Sequence, residues 1–387
     1  MGRPYSLISS DSHLEIKPER WVHRVPEQYR ERAPRTVRTS EGGEAFLIEG
    51  RPLQPVNFID NRAGRADWKP LGMNVDDAAG AGGPDQRVAE MTADGLDAEV
   101  LFPANQRGYI MWRSIADDEV YKAIVCGYND WLAQEYCAYA PQRLIGIGVI
   151  PSTNLDDALG ELQRCAKLGL KAVLLGAFPS GKSYPSPDDD RFWAAALDLG
   201  LALTVHVRFF FPSGGGPAFK YPRENPDLLR KMGRTFVEHL AQHGMPPAQS
   251  LTPLVLSGVF DRFPELKIFF AETRVGWLPF FLEALDLWYE RNLAWAEEVL
   301  GYQPVKRLPS EYIQDNIYFS IQYERFAVEN RHHLNLDQVM FATDFPHIES
   351  EWPNSKPIVE RIYADVPEDE KRKIWADNAA RFFKLAA

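Results

Sequence analysis

Ala202-Leu203-Thr204-Val205-His206-Val207 is a short run of β-branched and apolar residues interrupted by one imidazole. Runs of the same character recur at 7–10, 98–102, 144–150, 172–176, 267–271, 317–321 and 339–343. Each is separated from the next by a stretch with helical periodicity, and this alternation is the signature of parallel βα units. Eight such units, joined by right-handed crossovers, close most economically into an α/β fold of the (β/α)8 TIM barrel type.

The helical stretches carry their own signals. Asp117-Asp118-Glu119 opens one that continues through Val120, Ile124, Tyr128, Trp131 and Leu132, with acids at the positive helix start and apolar groups on one face. Residues 156–168 repeat the scheme and stop at Gly169. Helices are also expected at 279–290 and 367–383. Two segments exceed an ordinary βα loop. One, at about 22–84, is rich in Pro, Gly and Arg and follows strand one; a lid over the barrel mouth is expected there. The other, 209–250, opens on Phe209-Phe210-Phe211-Pro212 and Gly214-Gly215-Gly216 after strand five. Both are read as insertions in a single domain spanning 1–387.

Composition narrows the partners. The 387 residues hold 43 Lys+Arg against 54 Asp+Glu, a net charge of -11 that repels nucleic acid and anionic lipid. Cys126, Cys137 and Cys165 show no C-x-x-C spacing and are odd in number, so they read as reduced thiols rather than a disulfide framework. No apolar run reaches the roughly 20 residues of a membrane span, and the start lacks a signal core. A cytoplasmic enzyme acting on a small molecule is expected, with homo-oligomerisation left open.

Three strand ends then draw attention. Asp11-Ser12-His13-Leu14-Glu15 lies at the end of strand one, where a two-residue period puts Asp11 and His13, with Glu15 next in line, on one side. His206 ends strand five, and Asp344 follows strand eight in Phe341-Ala342-Thr343-Asp344-Phe345-Pro346-His347. Any one of these fits a structural role. Their convergence on the catalytic face of one barrel suggests a site, and imidazole plus carboxylate suits one divalent ion, zinc first, with manganese or iron as alternatives.

These residues resemble the metal site of the amidohydrolase superfamily, and most closely its amidohydrolase-related branch, which includes aminocarboxymuconate-semialdehyde decarboxylase and γ-resorcylate decarboxylase. Gly258-Val259-Phe260-Asp261-Arg262-Phe263-Pro264-Glu265-Leu266-Lys267, Gly276-Trp277-Leu278-Pro279 and Asn378-Ala379-Ala380-Arg381-Phe382-Phe383 also resemble that branch. The resemblance implies Asp11, His13, His206 and Asp344 as metal ligands, with Glu15 as a substitute for Asp11. The chain departs from the branch in two places. Strand one has D-x-H where H-x-H is common, and strand six ends in Ala271-Glu272-Thr273-Arg274 where a proton-handling histidine is usual.

With Glu272 in that position, the expected reaction is hydrolysis of a small cyclic or aromatic compound by a metal-activated water, Asp344 acting as general base and Glu272 as proton relay. Non-oxidative decarboxylation of an aromatic or enoic acid is the alternative, and a metal-free ligand-binding barrel the third reading. His347 is a further catalytic candidate. Arg208 and Arg274 are candidates to hold a substrate carboxylate, as is Arg107, with Phe209 and Trp352 as apolar pocket walls. His239 and His243 share i,i+4 spacing without the Glu of a zincin helix, and His332-His333 are expected at the surface.

Overall fold

In the computed structural model, which describes residues 5–40, 42–56, 72–104, 108–182, 184–209 and 247–385, all eight expected runs are strands of one parallel sheet. In chain order the strands are β1 (Ile8–Leu14), then three short ones of a separate antiparallel sheet, β2 (Arg35–Arg38), β3 (Glu44–Leu47) and β4 (Gln54–Pro55). The barrel continues with β5 (Ala98–Pro103), β6 (Leu144–Val149), β7 (Ala172–Leu174), β8 (Ala202–His206), β9 (Ile268–Ala271), β10 (Ile317–Ile321) and β11 (Val339–Phe341). Neighbours follow the order β1-β5-β6-β7-β8-β9-β10-β11. A parallel bridge between Ser12 and Phe345 joins the two ends. His13 N donates to Phe345 O at 2.7 Å and Asp344 N to Asp11 O at 2.9 Å. The barrel is therefore stitched shut by the backbone of the residues singled out for chemistry.

Strand one corrects an expectation. It runs to Leu14, four residues beyond the predicted 7–10, so Asp11 and His13 lie inside the strand rather than past it. Polar side chains in a fully buried strand disguise its extent, and the pairing with β5 shifts register between Ser9 and Ser12. The helix read from Asp117 starts at Asp118, because the Asp117 carboxylate accepts from Glu119 N and Val120 N as its cap. The 279–290 helix is longer, Leu278–Leu300, and the closing helix is interrupted by a π-turn at Lys373–Asp377. The small β2–β3–β4 sheet was not expected; strands this short carry no readable period. Phe46, Val56, Met73, Val75, Ala78 and Ala81 bury one another beneath it.

Two aromatic residues plug the barrel from below. Phe382 and Phe383 place their rings 6.0 and 5.9 Å from Phe269, and Tyr318 sits 4.6 Å from Phe382. Lys384 Nζ reaches Gly200 O, just before β8, so this plug lies at the strands' N-terminal ends. The opposite end is left for the site. All three cysteines are free. No helix among the described residues is long and apolar enough to cross a membrane.

Arg87, on the helix Pro84–Ala93, is almost completely buried. Its Nε donates to Glu99 Oε2 at 2.6 Å, while its two terminal nitrogens donate to the carbonyls of His13 (2.9 Å) and Phe345 (3.3 Å). The guanidinium also lies 4.5 Å from the Phe345 ring centroid. One side chain thus ties β1, β5 and the loop after β11 together. Replacing it with Met takes away the partner of a fully buried carboxylate whose pKa burial already raises, a loss of about 3–5 kcal/mol. Arg87→Met is expected to lower Tm by about 5 °C or more, measured by thermal denaturation; an unchanged Tm would mean the pair holds nothing.

Candidate metal centre

β1 presents Asp11 and His13 on one face because they are two residues apart. β8 ends at His206, and the chain turns sharply after β8, β9 and β11. Val207, Glu272, Arg274 and Asp344 have φ of 57°, 53°, 56° and 55°. This left-handed conformation is costly for non-glycine residues, and for β-branched Val207 most of all, by about 1–3 kcal/mol each. The strain is concentrated at the mouth, where Glu272 and Asp344 bring their carboxylates to the imidazoles.

The resulting cluster is tight. His13 Nε2 lies 3.2 Å from His206 Nε2, 3.1 Å from Asp344 Oδ1 and 3.4 Å from Asp11 Oδ1. His206 Nε2 is 3.7 Å from Asp11 Oδ1 and 3.2 Å from Glu272 Oε2. Ligand atoms about 2.1 Å from a common divalent ion stand roughly 3.0–3.6 Å from one another, so these separations fit a shared ion. Two overlapping sets meet the spacing: Asp11, His13, His206 and Glu272, and His13, Glu272, Asp344 and His347. Asp11 is fully buried and neither of its oxygens accepts a hydrogen bond among the described residues. A buried carboxylate without donors wants a cation.

Electrostatics agree with that need. Burial, reinforced by Asp344, pushes the Asp11 carboxyl well up, and burial with Asp344 and Asp11 does the same to Glu272. Burial drives His206 well down, helped by His13, and lowers His13 itself. Both imidazoles are thereby kept neutral, the form that ligates metal. His347 differs. Burial opposes its charge, yet Asp344 and Glu15 hold its pKa well above the usual histidine value. Its Nδ1 is 2.9 Å from Asp344 Oδ1, its Nε2 3.2 Å from Glu15 Oε1, and its ring stacks on His13 with centroids 4.0 Å apart. Burial alone would raise Asp344, but His347 and His13 hold it low.

Asp11, His13, His206, Glu272, Asp344 and His347 are therefore brought together. Glu15 faces His347 and is absent from both ligand sets. Arg274 holds Glu349 at 2.9 Å beside the cluster, and Arg208 reaches Gln249 at 3.5 Å. Phe209 belongs to the core: it is 1% exposed and packs on Phe178 and Phe270. Trp352 packs at a tilt on Phe345 and donates to Glu90 O, supporting the loop after β11. Arg107, His239 and His243 lie outside the described residues, and His332 and His333 are exposed. Arg87, which fixes the His13 carbonyl, had no sequence signal, being one arginine on a polar helix.

The family model described as amidohydrolase matches residues 13–385, and the chain belongs to that family. A gamma-resorcylate decarboxylase from a Rhizobium species is 28% identical over 320 residues, covering 78% of this chain and 87% of the relative. Among solved structures, an amidohydrolase from Mycobacterium avium subsp. paratuberculosis superposes with a TM-score of 0.72 at 17% identity, covering 99% of this chain and all of that one. A dihydroxybenzoic acid decarboxylase from a Polaromonas species, solved with manganese and the inhibitor 2-nitroresorcinol, gives 0.61 at 20% identity over 98% of this chain and 97% of its own.

Proposed function

We propose that this member of the amidohydrolase family is a metal-dependent carboxy-lyase that removes carbon dioxide from a small aromatic or enoic acid. The observation that carries the reading is Asp11: a buried carboxylate that accepts no hydrogen bond among the described residues, set beside two neutral imidazoles at a barrel mouth. Its full burial, and that of Asp344, favours Asp11, His13, His206 and Asp344, drawn from the two sets, as the residues that would hold the ion. Glu272 differs in keeping 22% of its side chain exposed, which suits a group facing substrate. Two imidazoles and two carboxylates accept zinc or manganese, and the manganese in the Polaromonas structure supports manganese ahead of the zinc expected from sequence. When bound, the ion supplies positive charge and Lewis acidity against an anionic substrate. A metal-free binding barrel would leave Asp11 without compensation.

Hydrolysis, the expectation from sequence, has less support than decarboxylation, because the gamma-resorcylate relative that aligns over most of its length is a decarboxylase. The chemistry asked of the chain is then simple. As the carbon–carbon bond breaks, the electron pair stays on the ring or vinyl carbon, which takes a proton from neutral Glu272; the resulting carboxylate is reprotonated from solvent. His347, cationic between Asp344 and Glu15, fixes the Asp344 carboxylate. Arg274, which pairs with Glu349, is the residue assigned in this reading to the substrate's carboxylate. The part of the 22–84 insertion around Gly80 walls the mouth in this reading: a Cβ at Gly80 would meet Pro346 at 2.9 Å, in the loop two residues beyond Asp344, while residues 57–71 of this insertion and 210–246 of the second lie outside the described residues.

The test is incubation of the manganese- and zinc-loaded protein with a panel of hydroxybenzoic and enoic acids. One carbon dioxide per acid consumed, abolished by a chelator, is expected. Consumption of esters, lactones or cyclic amides with no acid losing carbon dioxide would overturn the assignment in favour of hydrolysis.

A further inference from the structure

Gln322 follows β10 immediately, at the end of the barrel where the site lies. It is 2% exposed, and neither Oε1 nor Nε2 has a hydrogen-bond partner among the described residues. A primary amide offers one acceptor and two donors, and burying all of them unpaired is rare in a folded protein. Such an exception calls for an explanation.

The direction of the side chain follows from the strand. Tyr318, Ser320 and Gln322 alternate onto one face. Tyr318 on that face meets Phe382 of the aromatic plug inside the barrel's lower end. Ser320 Oγ accepts from Thr273 N. Tyr323, on the other face, packs outward on Phe341. Gln322 therefore faces the barrel axis. Its height is set by register: Ala342 N donates to Ile321 O, placing Gln322 level with Ala342, two residues before Asp344. On the other side, the pairing Phe319 with Phe270 brings it level with Thr273, next to Glu272. The unpaired amide thus stands between the stations of Glu272 and Asp344.

From this placement we infer that Gln322 reads the substrate, accepting at Oε1 from a hydroxyl and donating from Nε2 to an oxygen beside the carbon that loses its carboxylate. The inference rests on the decarboxylase reading and adds to it a residue that determines specificity. It also makes Gln322 unlike a structural glutamine, since removing a structural amide loosens the fold while removing this one relieves it.

Two measurements on the metal-loaded enzyme separate these roles. Gln322→Leu is expected to leave Tm unchanged or raise it, while kcat/KM falls about tenfold to a hundredfold on the acid identified by carbon dioxide release. Gln322→Glu, which keeps the acceptor and loses the donor, should fall by less. A Tm lowered by several degrees in Gln322→Leu would show the amide to be part of the fold and overturn the inference, as would undiminished kcat/KM. If no acid loses carbon dioxide, the decarboxylase reading fails on its own; a raised Tm would then still support a ligand-facing amide, and a lowered one would still overturn it.

Discussion

His206→Ala, like His13→Ala and Asp344→Ala, should yield a folded protein that has lost both its ion and its activity. His13 shares one set of ligand atoms within 4.8 Å of one another with His206 and a second with Asp344, so each variant removes a ligand atom from a buried cluster. Turnover is expected to fall at least on the order of 10²–10³-fold, with metal analysis of the purified variants showing far less than one ion per chain. Because the remaining ligands must shed protons to bind, and burial holds the Asp11 proton on to higher pH than usual, the wild type should lose metal progressively as pH falls. Stoichiometric metal in all three alanine variants would remove the ligand assignment.

Glu272→Gln is the second large effect. The substitution keeps the side chain's size and leaves an amide facing His206, but takes away the exchangeable carboxyl proton. A proton-transfer role is exercised in the transition state, so kcat should fall about 10²–10⁴-fold while KM changes little. Steady-state kinetics with metal content measured in parallel separates this from loss of the ion. Full metal with undiminished kcat would make Glu272 a bystander; lost metal would make it a ligand.

The fold was legible because a parallel barrel strand buried on both faces is written as a mostly apolar run, as at Ile317–Ile321, where Ser320 alone breaks the pattern and the expected and observed bounds coincide. β1 was misjudged for the opposite reason. Its sequence Ile-Ser-Ser-Asp-Ser-His-Leu is polar yet entirely buried, since its hydroxyls bond to Thr343 and Phe341 O across the closing seam. Chemistry-bearing residues were readable where a histidine or carboxylate interrupts such a run, and Asp11, His13, His206, Glu272, Asp344 and His347 assemble at the mouth. Gln322 gives the same kind of interruption as His206, but an amide is a weaker signal than an imidazole. Arg87 and the pairing of Glu15 with His347 depend on chain segments far apart in sequence, which no local pattern reports. The aromatic candidates failed differently: Phe209 follows a strand, as a pocket residue would, but its ring turns back into the core.

The central claim is that this mouth protonates a carbon as carbon dioxide leaves, and its most direct test is turnover in deuterium oxide. Metal-loaded enzyme given its acid should release one carbon dioxide and leave one deuterium on the vacated carbon, read by proton NMR of the product, with both yields falling together in Glu272→Gln. Product that retains the carboxyl carbon, or that gains oxygen from solvent instead of deuterium at carbon, would contradict decarboxylation and return the site to hydrolysis.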